Sequence, residues 1–214
     1  MTYFVTGATG FIGRYLVQSL LQKGKGTIYV LVRPKSIGKL DELREFWGKD
    51  SLKRVVPIKG DLGLPKLGVA RGDLTKLKGK VKHFYHLGAV YDLEASAEAM
   101  EKANITGTRG ALEFAEAVNA GCFHLVSSIA AAGLYRGTFT EDMFEEAEEL
   151  EHPYHRTKHD SEAMVRANGR IPFRVYRPGA VLGHSQTGFI DKIDGPYYFF
   201  KALQKLRESW PRSI

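Results

Sequence analysis

A single cysteine, Cys122, is present in 214 residues. One thiol forms no intramolecular disulfide and builds no zinc site by itself, so the chain is expected in a reducing, cytoplasmic setting. No apolar run approaches about 18 residues, which excludes a membrane-spanning helix. The opening MTYFVTG has neither a basic stretch nor a cleavage site and does not read as a signal peptide. No run of five Lys or Arg occurs, and basic residues do not alternate with aromatics, so a nucleic-acid partner is not expected. Internal repeats and low-complexity tracts are lacking too. Hydrophobic residues at 43% and charged residues at 26% exclude a disordered chain. The length suits one large domain, or one plus part of another.

The net charge of +7 is unevenly spread. Glu141, Asp142, Glu145, Glu146, Glu148, Glu149 and Glu151 form an acidic patch, and outside it the positive excess doubles. That excess favours a phosphate-rich small molecule. Short apolar runs at 3–6, 27–32, 55–58, 83–87, 123–126 and 173–176 read as strands. Helical spacing covers 11–23, 36–47, 95–119, 154–167 and 197–207. Strands that lack polar alternation and are separated by helices predict an α/β fold: a Rossmann-type, doubly wound parallel sheet covered on both faces. The connection from Gly133 to Pro153 reads as a solvated loop.

The segment TGATGFIG places Gly7, Gly10 and Gly13 between the first strand and first helix. Such a turn lets the backbone approach a pyrophosphate, and the helix N-terminus offers unpaired N–H groups to it. Thr9, Phe11 and Ile12 complete this cofactor loop. After the second strand, where an acidic residue would accept from the ribose of NAD, stands Arg33. A guanidinium matches a 2′-phosphate, so NADP(H) is the expected cofactor, with Lys35 and Arg14 near enough in sequence to assist. Asp61, followed by Leu62, comes after the third strand, where a carboxylate can accept from the adenine amino group.

Tyr154 and Lys158 lie four residues apart on a predicted helix, hence on one face. A nearby ammonium is expected to lower the phenol pKa, so that Tyr154 exchanges the proton accompanying hydride transfer. Lys158 can also hold the nicotinamide ribose. Ser128, closing the fifth strand, would hydrogen-bond the reacting oxygen, and Ser127 reads as structural. Cys122 reads as a buried small hydrophobe, and His152, His155 and His159 as solvated helix residues. No metal is expected.

Together TGATGFIG, HLGAV (residues 86–90), NITGT (104–108), VSSI (126–129), YHRTK (154–158) and YRPG (176–179) resemble the extended short-chain dehydrogenase/reductase family, in its order and over most of the chain. The resemblance implies that Gly88 and Ala89 line the cofactor. It also implies that Asn104 supports the active-site backbone and that Pro178 leads into the nicotinamide end. Gly88 departs from the family's usual alanine. Longer stretches, among them HLGAVYD, HPYHRTKHDSE and TGFIDKIDGPYYFFKALQKLR, resemble the N-terminal reductase domain of bacterial alcohol-forming fatty acyl-CoA reductases. That resemblance, and not composition, implies an acyl thioester substrate such as acyl-CoA, reduced to aldehyde and onward to fatty alcohol. Residues 1–177 are then the NADP-binding domain, and 178–214 the start of an incomplete substrate lobe within a longer multidomain chain. On residue type alone Tyr197, Tyr198, Phe199 and Phe200 read as core packing. The alternatives on one scaffold are a nucleotide-sugar epimerase or dehydratase, a hydroxysteroid-type dehydrogenase, or a non-enzymatic NADP sensor.

Overall fold

The computed structural model describes residues 1–89, 96–190 and 196–209. Val90 of the HLGAV motif, Tyr91 and Asp92 beyond it, Ala95 and residues 191–195 of the C-terminal stretch lie outside the described residues. The chain divides into two compact units, Met1–Arg177 and Pro178–Ile214.

In the first unit six strands form one parallel sheet. They are β1 (Tyr3–Thr6), β2 (Ile28–Val32), β3 (Val55–Lys59), β4 (His83–His86), β5 (Phe123–Val126) and β6 (Phe173–Tyr176), ordered β3-β2-β1-β4-β5-β6. The expected doubly wound Rossmann sheet is the one found. Both β1 and β2 are buried along their whole length, which is why they carry no polar alternation.

One face carries Phe4, Phe84 and Phe123, stacked with centroids 5.0 and 5.2 Å apart. Phe114 of α6 (Gly107–Ala117) sits 4.6 Å from Phe4, and Val165 of α7 (Pro153–Asn168) joins the same core. On the other face Val5, Ile28, Val30 and Val32 pack on α1 (Phe11–Lys23) through Val17, Leu20 and Leu21, and on α2 (Ile37–Trp47) through Leu40, Leu43 and Trp47. Trp47 Nε1 donates to Arg14 O at 2.8 Å, tying α2 to α1. Each fully buried aromatic or aliphatic side chain contributes about 1.5–3 kcal/mol.

The helix expected over 95–119 is interrupted. Ahead of α6 lie a short helix α5 (Ala97–Met100), capped by Ser96 Oγ accepting from Ala99 N–H at 3.2 Å, and a π-helical stretch at Glu101–Thr106. The widened turn buries Asn104, whose Nδ2 donates to Thr157 Oγ1 of α7 at 3.1 Å. Four-residue α3 (Ser51–Arg54) and seven-residue α4 (Arg71–Leu77) are further helices that the sequence reading lacks, being too short to show a period.

The start of α7 follows from its residues. Pro153 occupies the first turn, His152 Nδ1 accepts from Tyr154 N–H at 3.1 Å, and Gly169 ends the helix at φ 60°. Before it, the 133–153 connection is docked. Leu134 N–H donates to Glu148 O at 2.8 Å, and Phe144 stacks on His159 at 4.3 Å between ring centres. All seven acidic residues of the patch are exposed, as expected of a solvated charge run.

The second unit contains α8 (Pro196–Ser209) and a turn closed by His184 N–H donating to Phe189 O at 2.9 Å. Gly183 N–H donates to Tyr197 Oη at 2.6 Å. Tyr198, Phe199 and Phe200 are exposed, so the core-packing reading of these rings is corrected: so short a unit offers too little surface to bury them.

Candidate active site

In a parallel sheet all strands end at one edge, and the candidate residues of the first unit collect there. Gly7 follows β1 with φ +72°, a left-handed conformation that only glycine adopts without strain. Gly10 N–H donates to Gly7 O at 3.0 Å to close the turn. A Cβ on Gly13 would stand 2.1 Å from Gly7 O and 2.9 Å from Ala8 Cα, both backbone atoms. The loop and the first turn of α1 are therefore in main-chain contact. Because α1 starts on Gly10, it has no side-chain cap and no acidic residue in its first turn. Its leading N–H groups suit a phosphate acceptor. Thr9 and Phe11 are half-buried and Ile12 exposed along this turn. Gly13→Ala is expected to weaken dinucleotide binding at least 10-fold in a fluorescence titration, because no side-chain motion relieves the clash. Affinity within 2-fold of wild type would remove the turn from the site.

The other strand ends fill in the cradle. Arg33 follows β2 and is exposed, as is Lys35, while Arg14 lies half-buried on α1. Asp61 follows β3, and its Oδ1 accepts from Gly63 N–H at 2.8 Å, which fixes the carboxylate. Leu62 Cδ1 occupies the space of a Gly88 Cβ, 2.4 Å from where that atom would stand. The departure at Gly88 is thus matched by Leu62, and Ala89 beyond it is exposed. Gly88 N–H donates to Thr6 Oγ1 at 3.1 Å, Thr6 Oγ1 lies 2.8 Å from His86 Nδ1, and His86 Nε2 lies 3.2 Å from Thr108 Oγ1. Burial, then the charge of Lys158, pushes the His86 pKa down to about 3. This neutral chain holds the Gly88 turn to β1 and α6. The sequence shows only a histidine in an apolar strand and no sign of its partners.

Ser128, Tyr154 and Lys158 come together at the end of β5, and all three are buried. Ser128 Oγ accepts from Ala130 N–H at 3.1 Å and is hydrogen-bonded with the Tyr154 phenol. Lys158 Nζ donates to Val126 O at 3.2 Å, next to the serine pair. The expectation that the ammonium lowers the Tyr154 pKa is corrected. Burial raises it, the Ser128 hydrogen bond opposes that rise, and Lys158 is turned to the β5 carbonyl. Burial also lowers Lys158 to about 8, against the pull of Glu162 one turn along α7. Asn104 fixes this face through Thr157, the residue before Lys158.

Glu162 is a site residue that the sequence reading missed. It is fully buried, and Arg177 Nη2 and Arg166 Nη2 approach its Oε1 at 2.6 and 2.8 Å. Burial opposes its charge, but Arg177 and Arg166 hold its pKa below the usual carboxylate value. The Ser127 hydroxyl lies beside it without a well-formed hydrogen bond. Arg177 Nη2 also donates to Met143 O at 2.8 Å, fastening the long connection. The solvated reading of His155 and His159 is likewise corrected. His159 is stacked under Phe144 with Nδ1 3.0 Å from Ala131 O, and both histidine rings are half-buried.

The sequence profile described as male sterility protein matches residues 5–211. The chain belongs to that family. It is of the extended short-chain dehydrogenase/reductase type, with relatives among peptide-synthetase reductase domains and fatty acyl-CoA reductases. A linear gramicidin synthase of Brevibacillus parabrevis is 34% identical over 205 residues, covering 89% of this chain and 4% of the synthase. A Drosophila melanogaster protein named as a candidate fatty acyl-CoA reductase is 28% identical over 249 residues, covering 94% and 48%. The terminal R domain from the myxalamid PKS-NRPS pathway superposes with TM-score 0.85 at 30% identity, covering 96% of this chain and 56% of that one. This family member therefore spans less than two thirds of each of these proteins. No helix among the described residues is long and apolar enough to cross a membrane.

Proposed function

We propose that this chain is the nucleotide-binding part of an NADP(H)-dependent reductase of acyl thioesters, with long-chain acyl-CoA as the substrate class. Residues 1–177 serve as the nucleotide domain, and 178–214 as the start of a substrate lobe in a longer cytoplasmic, multidomain protein. The observation that carries the reading is the Ser128–Tyr154–Lys158 group at the sheet edge that also bears the glycine cradle, with the phenol kept neutral by burial. A neutral phenol is the form that gives a proton, as reduction requires. The residues present fit a dinucleotide. Gly7, Gly10 and Gly13 leave room for its phosphates, Arg33 would meet the 2′-phosphate, and Asp61 and Leu62 would meet the adenine. Gly88, Ala89 and Asn104 would lie toward the nicotinamide.

When bound, the reduced nicotinamide supplies hydride. The chain's own groups act on the substrate oxygen. Ser128 Oγ and the Tyr154 phenol are donors held in place before charge develops on the carbonyl. Lys158 steadies the phenol's surroundings and would hold the ribose. A new C–H bond forms at the carbonyl carbon, the C–S bond breaks, and the thiol leaves with the proton, giving an aldehyde. A second reduction with Tyr154 as proton donor gives the alcohol. One variant of this reading has the thioester carried on a protein instead of on coenzyme A. In the longer protein, cofactor consumption with long-chain acyl-CoA, a carrier-bound acyl thioester and fatty aldehyde, beside product analysis with UDP-sugars, whose epimerisation consumes no net cofactor, tests the reading. Turnover of UDP-sugars alone overturns it in favour of an epimerase-type enzyme, and no turnover of any favours a sensor.

Arg33→Ala is expected to weaken NADPH roughly 10- to 150-fold more than NADH. Loss of a hydrogen bond to a charged phosphate is worth about 1.5–3 kcal/mol. Equal weakening of both in a binding titration would move the phosphate contact to Lys35 or Arg14.

A further inference from the structure

At the opposite edge of the sheet from the cradle lies a second group of chemically capable side chains. His83 opens β4, Cys122 directly precedes β5, and His124 is the second residue of β5. One ligand atom from each lies within 4.8 Å of the other two. His83 Nδ1 and His124 Nε2 are 3.0 Å apart. Cys122 and His83 are half-buried and His124 is buried, so the group faces solvent on one side.

We propose that His83, Cys122 and His124 form a binding site for a divalent transition-metal ion of the Zn2+ class.

The donor set suits that class: two imidazoles and one thiolate, with a fourth position open to water. Two nitrogens bound tetrahedrally to one zinc stand about 3.4 Å apart, given Zn–N distances of about 2.0–2.1 Å. The observed pair therefore has to part by only a few tenths of an ångström. The Cys122 sulfur, within 4.8 Å of both nitrogens, has to approach by at most about 1 Å to reach the roughly 3.6 Å of a tetrahedral zinc site.

The surrounding structure holds the rings in place. His124 Nδ1 lies 3.0 Å from Tyr176 Oη. With that nitrogen donating to the phenol, Nε2 keeps its lone pair for a metal, the usual arrangement behind a ligating histidine. Tyr85 stacks on His124 with centroids 4.3 Å apart, and Tyr3 stacks on His83 at 5.8 Å. Phe84 N–H donates to Cys122 O at 2.8 Å, which pins the thiol-bearing residue to β4. The reading of Cys122 as a buried small hydrophobe takes no account of these partners. His83 lies about 40 residues away along the chain and meets it only through the β4–β5 pairing. Exposed Arg174 pairs in register with His124 and adds positive charge, which opposes a cation. The six residues from Cys122 to Ser128 span about 20 Å when extended, so the ion takes no part in chemistry at the Tyr154 edge. It would clip β4 to β5.

The test uses the whole chain, stripped with a chelator, and Zn2+ alone or Co2+ alone as probe. Co2+ is expected to bind one to one, with a thiolate charge-transfer band and the intense visible bands of a four-coordinate site, and Zn2+ to displace it. Zn2+ at about 100 times its Kd is expected to raise Tm by roughly 5 °C or more. Cys122→Ser removes the charge-transfer band. His83→Ala weakens Zn2+ at least 10-fold, and Arg174→Ala tightens it several-fold. All three positions are half-buried or exposed, so the variants are expected to fold, which circular dichroism checks. Absence of saturable binding below millimolar Zn2+ overturns the proposal. So does binding that survives both Cys122→Ser and His83→Ala but is lost in His155→Ala, which would assign the ion to the His152–His155 pair.

Discussion

Tyr154→Phe is expected to cut thioester reduction by about 10²- to 10⁴-fold, the range that general acid catalysis supplies. Dinucleotide affinity is expected to stay within a few-fold. The substitution removes one oxygen and keeps the ring, so the packing of α7 against the end of β5 is retained. The glycine cradle lies on other elements, β1 and α1, and does not sense the change. In the wild type the raised phenol pKa keeps Tyr154 protonated across the neutral range. The group that limits the alkaline side is then Lys158, at about 8. As pH rises through that value the ammonium loses its charge, so kcat/KM for reduction is expected to fall above about pH 8. Rate measurements on wild type and variant over pH 6–10 check both points. A variant within 10-fold of wild-type rate would remove Tyr154 from the chemistry.

Glu162→Gln is expected to destabilise the first unit by about 3 kcal/mol, the lower end of the range for breaking a buried ion pair. The lower end applies because both guanidiniums keep some exposure, 14% for Arg177 and 30% for Arg166. For a chain of this length the corresponding Tm loss is roughly 6–12 °C. The glutamate pKa is depressed in the folded state. Its contribution is therefore full above the unfolded value of 4.5 and is lost as pH falls through the folded one. The difference between variant and wild type should narrow below about pH 4.5. Because Glu162 raises the Lys158 pKa, the variant's alkaline limb should also move to lower pH. Thermal melts at pH 4 and 7 with a pH–rate profile read all three effects. A Tm within 2 °C of wild type at pH 7 would mean that water screens the cluster.

The strands at 3–6, 123–126 and 173–176 and the helix at 11–23 are legible to the residue. Each is a short, mainly apolar run or a 3.6-periodic one. The cradle and the Tyr154–Lys158 pair are legible for a different reason: their spacing within one loop or one helix face fixes their mutual position whatever the rest does, whereas Ser128 joins the pair only through the packing of α7 on the end of β5. What escapes is set by partners remote in the chain. Thr6 and His86 are separated by 80 residues, Asn104 and Thr157 by 53, and Glu162 and Arg177 by 15 across a strand end. Nothing local to Asn104 announces a π turn. Nothing local to Glu162 distinguishes it from the solvated Asp160 on the same helix. The direction of the Tyr154 pKa escapes because charge proximity can be read from spacing, whereas burial cannot.

The place of β1 in the sheet has a consequence for how the chain acquires its structure. It is the earliest strand along the sequence, yet it lies inside the sheet, between β2 and β4. Thr6 pairs with His86 in register. During synthesis at about 5–20 residues per second, the 80 residues between those two positions take roughly 4–16 s to emerge. Over that interval Tyr3–Thr6 has one flank unpaired. A segment reading YFVT with an open edge is what a holding chaperone recognises, and what a second nascent copy can pair with. The Gly7 turn waits on the same event, since it is closed from the far side by Leu87 and Gly88.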